Sequence, residues 1–279
     1  MSVVVNTNMS SLIAQRNLFN AGKSLTTSMN RLSSGLRINS AADDAAGVAL
    51  SEKLTTQVNA SDIAKRNIQT GMNLIQTAEA DLTVMQENLQ RMRDLAVQSA
   101  NGVYSSAERQ TLDAEFKNRA AEINRIASSS SFSDIKLLDG TTPADITLQI
   151  GTNNTADDQL DISSMFKDFK AGSSDMPGLS AAITTAATAR AQITAIDTAI
   201  NSISSTRAEM GATLNRLEGS ITRVDTRKEN MSSARSTIKD ADIAVESAAL
   251  TRSQILQQSA AAMLSQANQA PSLALNLIG

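Results

Sequence analysis

The sequence contains neither cysteine nor histidine among its 279 residues. Without cysteine no disulfide framework can form, so cysteine spacing says nothing about secretion. Zinc and other transition-metal sites lose their commonest ligands, and the usual proton shuttle near neutral pH is missing. We therefore expect a protein that is not an enzyme and that binds no metal or cofactor.

Aromatic residues are also scarce, at 2% of the chain with no tryptophan. A thick globular core normally uses aromatic side chains for volume, whereas Leu, Ile, Met and Ala suit thin helix-on-helix packing. Only three prolines occur, so long stretches are free to be helical. The composition indicates a mainly α protein.

Charge is nearly absent from both ends. Residues 1–30 carry only Arg16 and Lys23, and residues 247–279 carry only Arg252, although 19% of the whole chain is charged. Both ends are rich in Ala, Leu, Ser, Gln and Asn at helical spacing, which predicts burial against each other, against further copies or against a membrane. A membrane-surface helix would carry Lys and Arg on its polar face, so protein partners are favoured. We expect both ends to lack order until assembly.

Neither a leader nor a membrane span is predicted. Met1–Val5 has no basic region and too short an apolar run for a cleaved signal peptide. No stretch approaches the roughly 20 apolar residues that span a bilayer. The net charge of −3 does not provide the positive electrostatic potential that attracts nucleic acid.

Heptad spacing predicts two long helices, over 43–100 and 180–230, with shorter helices over 105–127 and 237–270, the last ended by Pro271. Arg207 interrupts the second heptad. The predicted seam residues are Ile75, Leu82, Met85, Leu89, Met92, Ile196, Ile200, Ile203, Met210, Leu214, Leu217, Ile221 and Val224.

The segment between the heptads has a different pattern. Asp139-Gly140 is a turn signal, and alternating apolar residues at 146, 148 and 150 favour a β-hairpin around 133–152 within an irregular region, 128–179. The fold class is therefore an antiparallel coiled-coil or helical-bundle rod with a small β-hairpin region. We divide it into a terminal helical domain, 1–42 with 231–279, and a rod domain, 43–230.

Simpler interpretations apply to several features. The heptads are equally typical of an ordinary intramolecular coiled coil. Asp43-Asp44 and the acidic residues near the hairpin are better explained as solvated or helix-capping carboxylates than as catalytic or calcium-binding groups. The serines at 128–131 and the sequon Asn153-Asn154-Thr155 fit an exposed polar loop better than a glycosylation site.

Several segments resemble bacterial flagellins. They are VVNTN at 4–8, SLIAQRNL at 11–18, RLSSGLRINSAADDAAGVALS at 31–51, LQRMRDLAVQSANG at 89–102, FSDIKLLDG at 132–140, GATLNRLEGSI at 211–221 and QILQQSAAAMLSQANQAPSLALNLI at 254–278. The resemblance is collinear over about 1–150 and 180–279, and its longest motifs are highly specific.

The resemblance implies a structural subunit that self-assembles into the hollow helical filament of the flagellum for motility. It implies an extracellular location and export without leader cleavage. The implied partners are further copies, the flagellar cap, hook-junction proteins, an export chaperone and the type III export apparatus. The chain looks like a short flagellin without outer domains. The expected inner-tube assembly residues are Leu12, Ile13, Leu18, Phe19, Met29, Leu32, Leu36, Ile255, Leu256, Met263, Leu264, Leu273, Leu275 and Leu277.

The family also implies one recognition site. Some flagellins are recognised by vertebrate Toll-like receptors through an Arg and a Leu of a QR-x-R-[DE]-L motif and a Glu of the following helix. The matching residues here are Arg91, Leu95 and Glu115. The simpler interpretation is that these residues serve filament packing.

Three alternatives stand beside the filament subunit. A hook–filament junction protein shares the terminal pattern loosely. A secreted peptidase on a flagellin scaffold would need an inserted HExxH motif, and this chain has no histidine. A membrane-active coiled-coil protein would need an apolar span or a basic amphipathic helix, and neither is predicted.

Overall fold

The computed structural model describes residues 7–143, 145–179 and 181–275, with side chains up to Gln269 in the last helix. Five α-helices account for most of this chain, which confirms the mainly α fold class with a small antiparallel strand region. The helices are α1 Met9–Ser34, α2 Ala45–Ala100, α3 Ser106–Ser129, α4 Ala186–Lys239 and α5 Ile243–Leu275.

The helix boundaries follow local signals, with two exceptions. The Ser105 side chain accepts a hydrogen bond from the Glu108 amide, and the Glu108 carboxylate accepts one from the Ser105 amide, so a capping box starts α3. In contrast, α4 continues to Lys239 rather than to 230. The prediction that Pro271 ends the last helix is wrong, because α5 runs to Leu275. A helical proline loses one hydrogen bond at a cost of about 3 kcal/mol, which the rest of a long helix can offset.

The predicted β-hairpin over 133–152 is also wrong. Two separate two-stranded antiparallel sheets form instead: β1 Ser131–Phe132 with β2 Ile135–Lys136, and β3 Thr147–Gln149 with β4 Gln159–Asp161. A two-residue turn connects β1 to β2, and it is formed by Ser133 and Asp134, which both adopt positive φ angles. The alternation around Leu148 does mark a strand, but its partner follows it in sequence.

The chain divides into two compact units. The terminal unit comprises Met1–Val58 and Glu229–Gly279, and the central unit comprises Asn59–Lys228. The predicted division at 42/43 and 230/231 placed all of the first long helix in the rod domain. The structure instead divides inside α2, whose first residues belong to the terminal unit.

The core of the central unit lies between α2, α3, α4 and the strand region. All the predicted seam residues are buried or half-buried there. The seam of α4 alternates steps of three and four more regularly than the apolar residues alone indicate, because polar residues occupy some of its positions. Its buried members are Ala189, Gln192, Ile196, Ala199, Ile203, Thr206, Met210, Thr213, Leu217 and Val224.

One seam assignment is corrected. Thr206, which has no exposed surface, occupies the position assigned to Arg207. Arg207 lies beside the seam, where its Nη1 donates to Gln86 Oε1 at 2.7 Å and its Nη2 lies 3.7 Å from Glu79 Oε1. The cation therefore flanks the seam without breaking it.

Candidate assembly surface

Helices α1 and α5 pack on each other through small side chains. The buried residues of α1 are Ser11, Ala14, Ala21 and Ser28, which recur at three- and seven-residue intervals. Across from them α5 contributes half-buried Ala249 and Ala260 and buried Ser253. Small residues at a helix contact let two backbones approach closely. The sequence prediction that both ends lack order before assembly differs from the described part of the ends, in which α1 and α5 are helices packed on each other.

The large apolar side chains of the same helices point outward. Phe19 has 73% of its surface exposed, the highest value among them. Exposed apolar area of this kind is typical of an interface that has not yet formed. The large exposed residues are Met9, Leu12, Ile13, Phe19 and Met29 of α1, and Ile243, Val245, Ile255, Leu256 and Met263 of α5.

A groove of about 1010 Å³ runs between the two helices. Ile13 and Asn17 line it from α1, and Leu256 and Met263 line it from α5. The groove is largely apolar, with a single charged lining residue, Arg252. We call the groove and the outward apolar residues of α1 and α5 the terminal surface.

Most of the predicted assembly residues fall into two groups by exposure, and three lie beyond the described side chains. Leu12, Ile13, Phe19, Met29, Ile255, Leu256 and Met263 are exposed. Leu18, Leu32, Leu36 and Leu264 are half-buried. Leu277 lies outside the described residues, as do the side chains of Leu273 and Leu275.

Sequence reasoning missed the inward face of α1. It selected large apolar residues, whereas Ser11, Ala14, Ala21 and Ser28 make the intramolecular contact. The available signal was the heptad recurrence of Ala and Ser, which is weaker than a Leu or Ile heptad because these residues are common at helix surfaces too.

Polar contacts close the α1–α5 pair at both ends. Ser11 Oγ donates to Asn268 Oδ1 at 2.8 Å, and Asn8 Nδ2 donates to the Ala267 carbonyl at 2.8 Å. At the other end Arg31 Nη1 lies 3.8 Å from Glu246 Oε2. These contacts join the start of α1 to the last turns of α5 and the end of α1 to the first turn of α5, as in an antiparallel pair.

The paired carboxylates of the sequence have local structural partners. The Ser40 amide donates to Asp43 at 2.9 Å, and this bond lowers the pKa of the Asp43 carboxyl, with the Ser40 hydroxyl and the Asn39 amide adding to the effect. Asp44 Oδ1 accepts from the Gly47 amide at 2.9 Å in the first turn of α2. These contacts fit the helix-capping interpretation. Within the described ranges, no group of acidic side chains is arranged to hold a metal ion.

The three predicted receptor-recognition residues differ in exposure: two are at the surface and one is buried. Arg91 and Glu115 form a two-bond surface pair, with Nε–Oε1 at 2.8 Å and Nη2–Oε2 at 3.0 Å. Leu95, in contrast, has no exposed surface in the central core. A partner could not touch Leu95 while that core is intact, so the recognition prediction now rests on Arg91 and Glu115 alone.

No helix in the described part of the chain is both long enough and apolar enough to cross a membrane. The terminal surface consists of exposed apolar residues with few charges, on two helices that pack against each other.

Family models and whole-length relatives of this chain agree on one family. The bacterial flagellin N-terminal helical region matches residues 5–142, and the C-terminal helical region matches residues 193–278. A flagellin from Halalkalibacterium halodurans is 40% identical over 99% of this chain and 100% of its own length. The flagellar filament 33 kDa core protein of Treponema phagedenis is also 40% identical, with the same coverage.

Other relatives bear on size and structure. A polar flagellin from Vibrio parahaemolyticus is 33% identical in an alignment of 379 positions that covers both chains fully, so it carries residues that this shorter chain lacks. The crystal structure of Bacillus cereus flagellin is 33% identical, covers 61% of this chain and 94% of its own, and has a TM-score of 0.50. On the two family regions and these whole-length relatives, the chain belongs to the bacterial flagellin family.

Proposed function

We propose that copies of this chain polymerise by burying the terminal surface of each copy against neighbouring copies. Flagellins are structural proteins, and the chain is a short flagellin that self-assembles into the filament of the bacterial flagellum, outside the cell. The observation that supports this use of the terminal surface is the placement of side chains by size. Small residues make the contact within the chain, and large apolar residues remain outside.

The energetic argument is direct. Burying a Leu, Ile, Met or Phe side chain contributes about 1.5–3 kcal/mol relative to leaving it exposed. Because α1 and α5 expose several such residues, association offers far more apolar burial than the monomer achieves at this surface. The near absence of charge means that few ionic groups lose their water on association.

The mode of export and the accessory partners are further parts of the proposal. We infer export through the flagellar channel without leader cleavage, followed by addition beneath the cap. The chaperone and export apparatus would meet the terminal helices before export, and the hook-junction proteins would meet them before further copies bury them. A role as a hook–filament junction protein is less well supported, because the curated relatives bear flagellin or filament-core names.

Truncation tests the role of the terminal surface. Deleting residues 1–30 or 247–279 removes one of the paired helices but leaves the central unit, Asn59–Lys228, which has its own core. We expect circular dichroism to show a largely helical, soluble protein, and electron microscopy to show no filaments under conditions in which the full chain polymerises. Filaments formed by either truncated chain would refute the proposal.

Labelling separates the filament from the junction role. An antibody to this chain should decorate the whole length of the flagellar filament. Decoration confined to a ring at the filament base would instead indicate the junction protein.

A further inference from the structure

The small-residue contact between α1 and α5 does not by itself define how the two helices align. Ala and Ser recur along both helices, so sliding one helix by seven residues would bring similar side chains together. A seven-residue slip moves a helix by about 10 Å along its partner. It would shift Leu256 relative to Ile13 and so change the pattern of the terminal surface.

One ion pair distinguishes the observed alignment from its neighbours. Glu246 is the single acidic residue in either helix, and it is only 9% exposed. Its carboxylate lies 3.8 Å from Arg31. If α5 slipped by one heptad, Glu246 would face Ser24, the residue seven positions before Arg31, and a largely buried carboxylate without its cation is strongly unfavourable.

A second contact holds the chain where α1 and α4 end. Arg37 donates to the Ile238 carbonyl through Nη2 at 2.6 Å and Nε at 3.3 Å, which places a cation at the negative end of α4. The Arg37 amide donates to the Lys239 carbonyl at 2.7 Å, and the Ala241 amide donates to the Gly35 carbonyl at 2.9 Å. These bonds join the segment that follows α1 to the segment between α4 and α5, close in sequence to Arg31 and to Glu246.

We propose that Arg31, Arg37 and Glu246 are positioning residues that fix the alignment of α1 against α5. The three side chains act through the helices, since a given alignment decides which large apolar residues stand side by side on the terminal surface. The consequence for polymerisation rests on the proposed function of that surface, whereas the alignment itself is a property of the single chain.

The absence of native cysteine allows a direct measurement of alignment. Ser11 and Asn268 touch at the end of the pair far from Glu246, so the double variant S11C/N268C reports the observed alignment by forming a disulfide in dilute monomer. The double variant S11C/A261C reports a slip of one heptad. Neither reporter requires filaments to form.

Charge changes are then added to each reporter. We expect E246R, which sets two cations against each other, to lower the S11C/N268C disulfide yield by about tenfold and to raise the S11C/A261C yield. The exchange R31E/E246R should restore the original yields. R37Q should lower the first yield less, because the backbone bonds at Lys239 and Gly35 remain. K23E, which alters an exposed charge of α1, serves as the control and should change neither yield.

Two results would overturn the proposal. One is an unchanged S11C/N268C yield in E246R, and the other is a loss in E246R that R31E/E246R does not restore. Either result leaves the polymerisation proposal standing, because that proposal fails only if the terminal surface is dispensable for filaments. Without the reporter cysteines, E246R should polymerise poorly and R31E/E246R should polymerise like the native chain.

Discussion

Gly71 of α2 lies so close to Leu148 of β3 that a Cβ atom at position 71 would overlap the leucine side chain. The sequence marks Gly71 as a weak point of a long helix. The structure shows instead that it admits the second strand pair onto the helix surface. Glycine lowers the helix propensity at this position, but its missing side chain leaves room for Leu148 to pack against α2.

The first prediction concerns this contact. G71A should destabilise the central unit by about 1 kcal/mol, because an overpacking cost of about 1–3 kcal/mol is only partly offset by the roughly 1 kcal/mol by which Ala favours a helix. Urea denaturation followed by circular dichroism measures the free energy of unfolding. Gly219 of α4 is the matched control, since nothing lies within 4 Å of a Cβ there. G219A should stabilise the chain by about 0.5–1 kcal/mol. Equal effects of the two substitutions would show that the contact with Leu148 is unimportant.

The second prediction concerns the polar position in the seam. Thr206 is fully buried, and its hydroxyl has no hydrogen-bond partner. T206V keeps the shape of the side chain and removes the unpaired hydroxyl, so it should raise the free energy of unfolding by about 1 kcal/mol. T222V on the exposed face of α4 is the control and should change stability by less than about 0.5 kcal/mol. Destabilisation by T206V would indicate that the hydroxyl has a partner in solution.

The long helices could be predicted because their seams repeat over many turns. Ile196 and Ile203 define the period, and the polar residues between them fit it once the period is known. Sequence reasoning chose Arg207 over Thr206 because it followed a four-residue step after Ile203, where the structure takes three. A heptad allows either step locally, and only burial decides between them.

The strand region was harder to predict. Leu148 lies in an alternating run, but its partner strand, β4, has a single apolar residue, Leu160, in a three-residue strand. Such a strand is defined by its neighbours rather than by its own sequence.

The terminal surface could also be predicted only in part from the sequence. The large apolar residues are predicted as assembly candidates, but their outward direction could not be read from a low-charge helix in which both faces are weakly polar.

The third prediction concerns pH. The Ser105 amide donates to Glu108 at 2.7 Å, and this hydrogen bond lowers the pKa of the Glu108 carboxyl from its ordinary 4.5. Because the folded-state pKa is lowered, the stabilisation is present above about pH 4.5 and is lost as the pH falls through the folded-state value. The protection factors of the first-turn amides of α3, which are corrected for the intrinsic slowing of exchange in acid, should therefore fall as the pH is lowered.

A variant isolates the capping box from general acid effects. E108Q cannot titrate, so its first-turn protection should not show the additional acid-dependent loss. Carbon-detected NMR titration of the native chain should give a Glu108 pKa below 4.5. A value at or above 4.5 would contradict the hydrogen bond seen here.

The fourth prediction compares two isoleucines of similar exposure on different helices. Ile13 of α1 is 45% exposed and lines the groove, whereas Ile63 of α2 is 49% exposed and lies in the central unit. If the terminal surface drives polymerisation, I13Q should raise the critical concentration for filament formation by about tenfold, which corresponds to roughly 1.4 kcal/mol of lost apolar burial. I63Q should raise it by less. Sedimentation of filaments at a series of protein concentrations measures both values.

Monomer helicity should be unchanged in each variant, because each side chain is already partly in water. A larger effect of I63Q than of I13Q would assign the main polymerisation contact to the outer face of α2 rather than to the paired terminal helices.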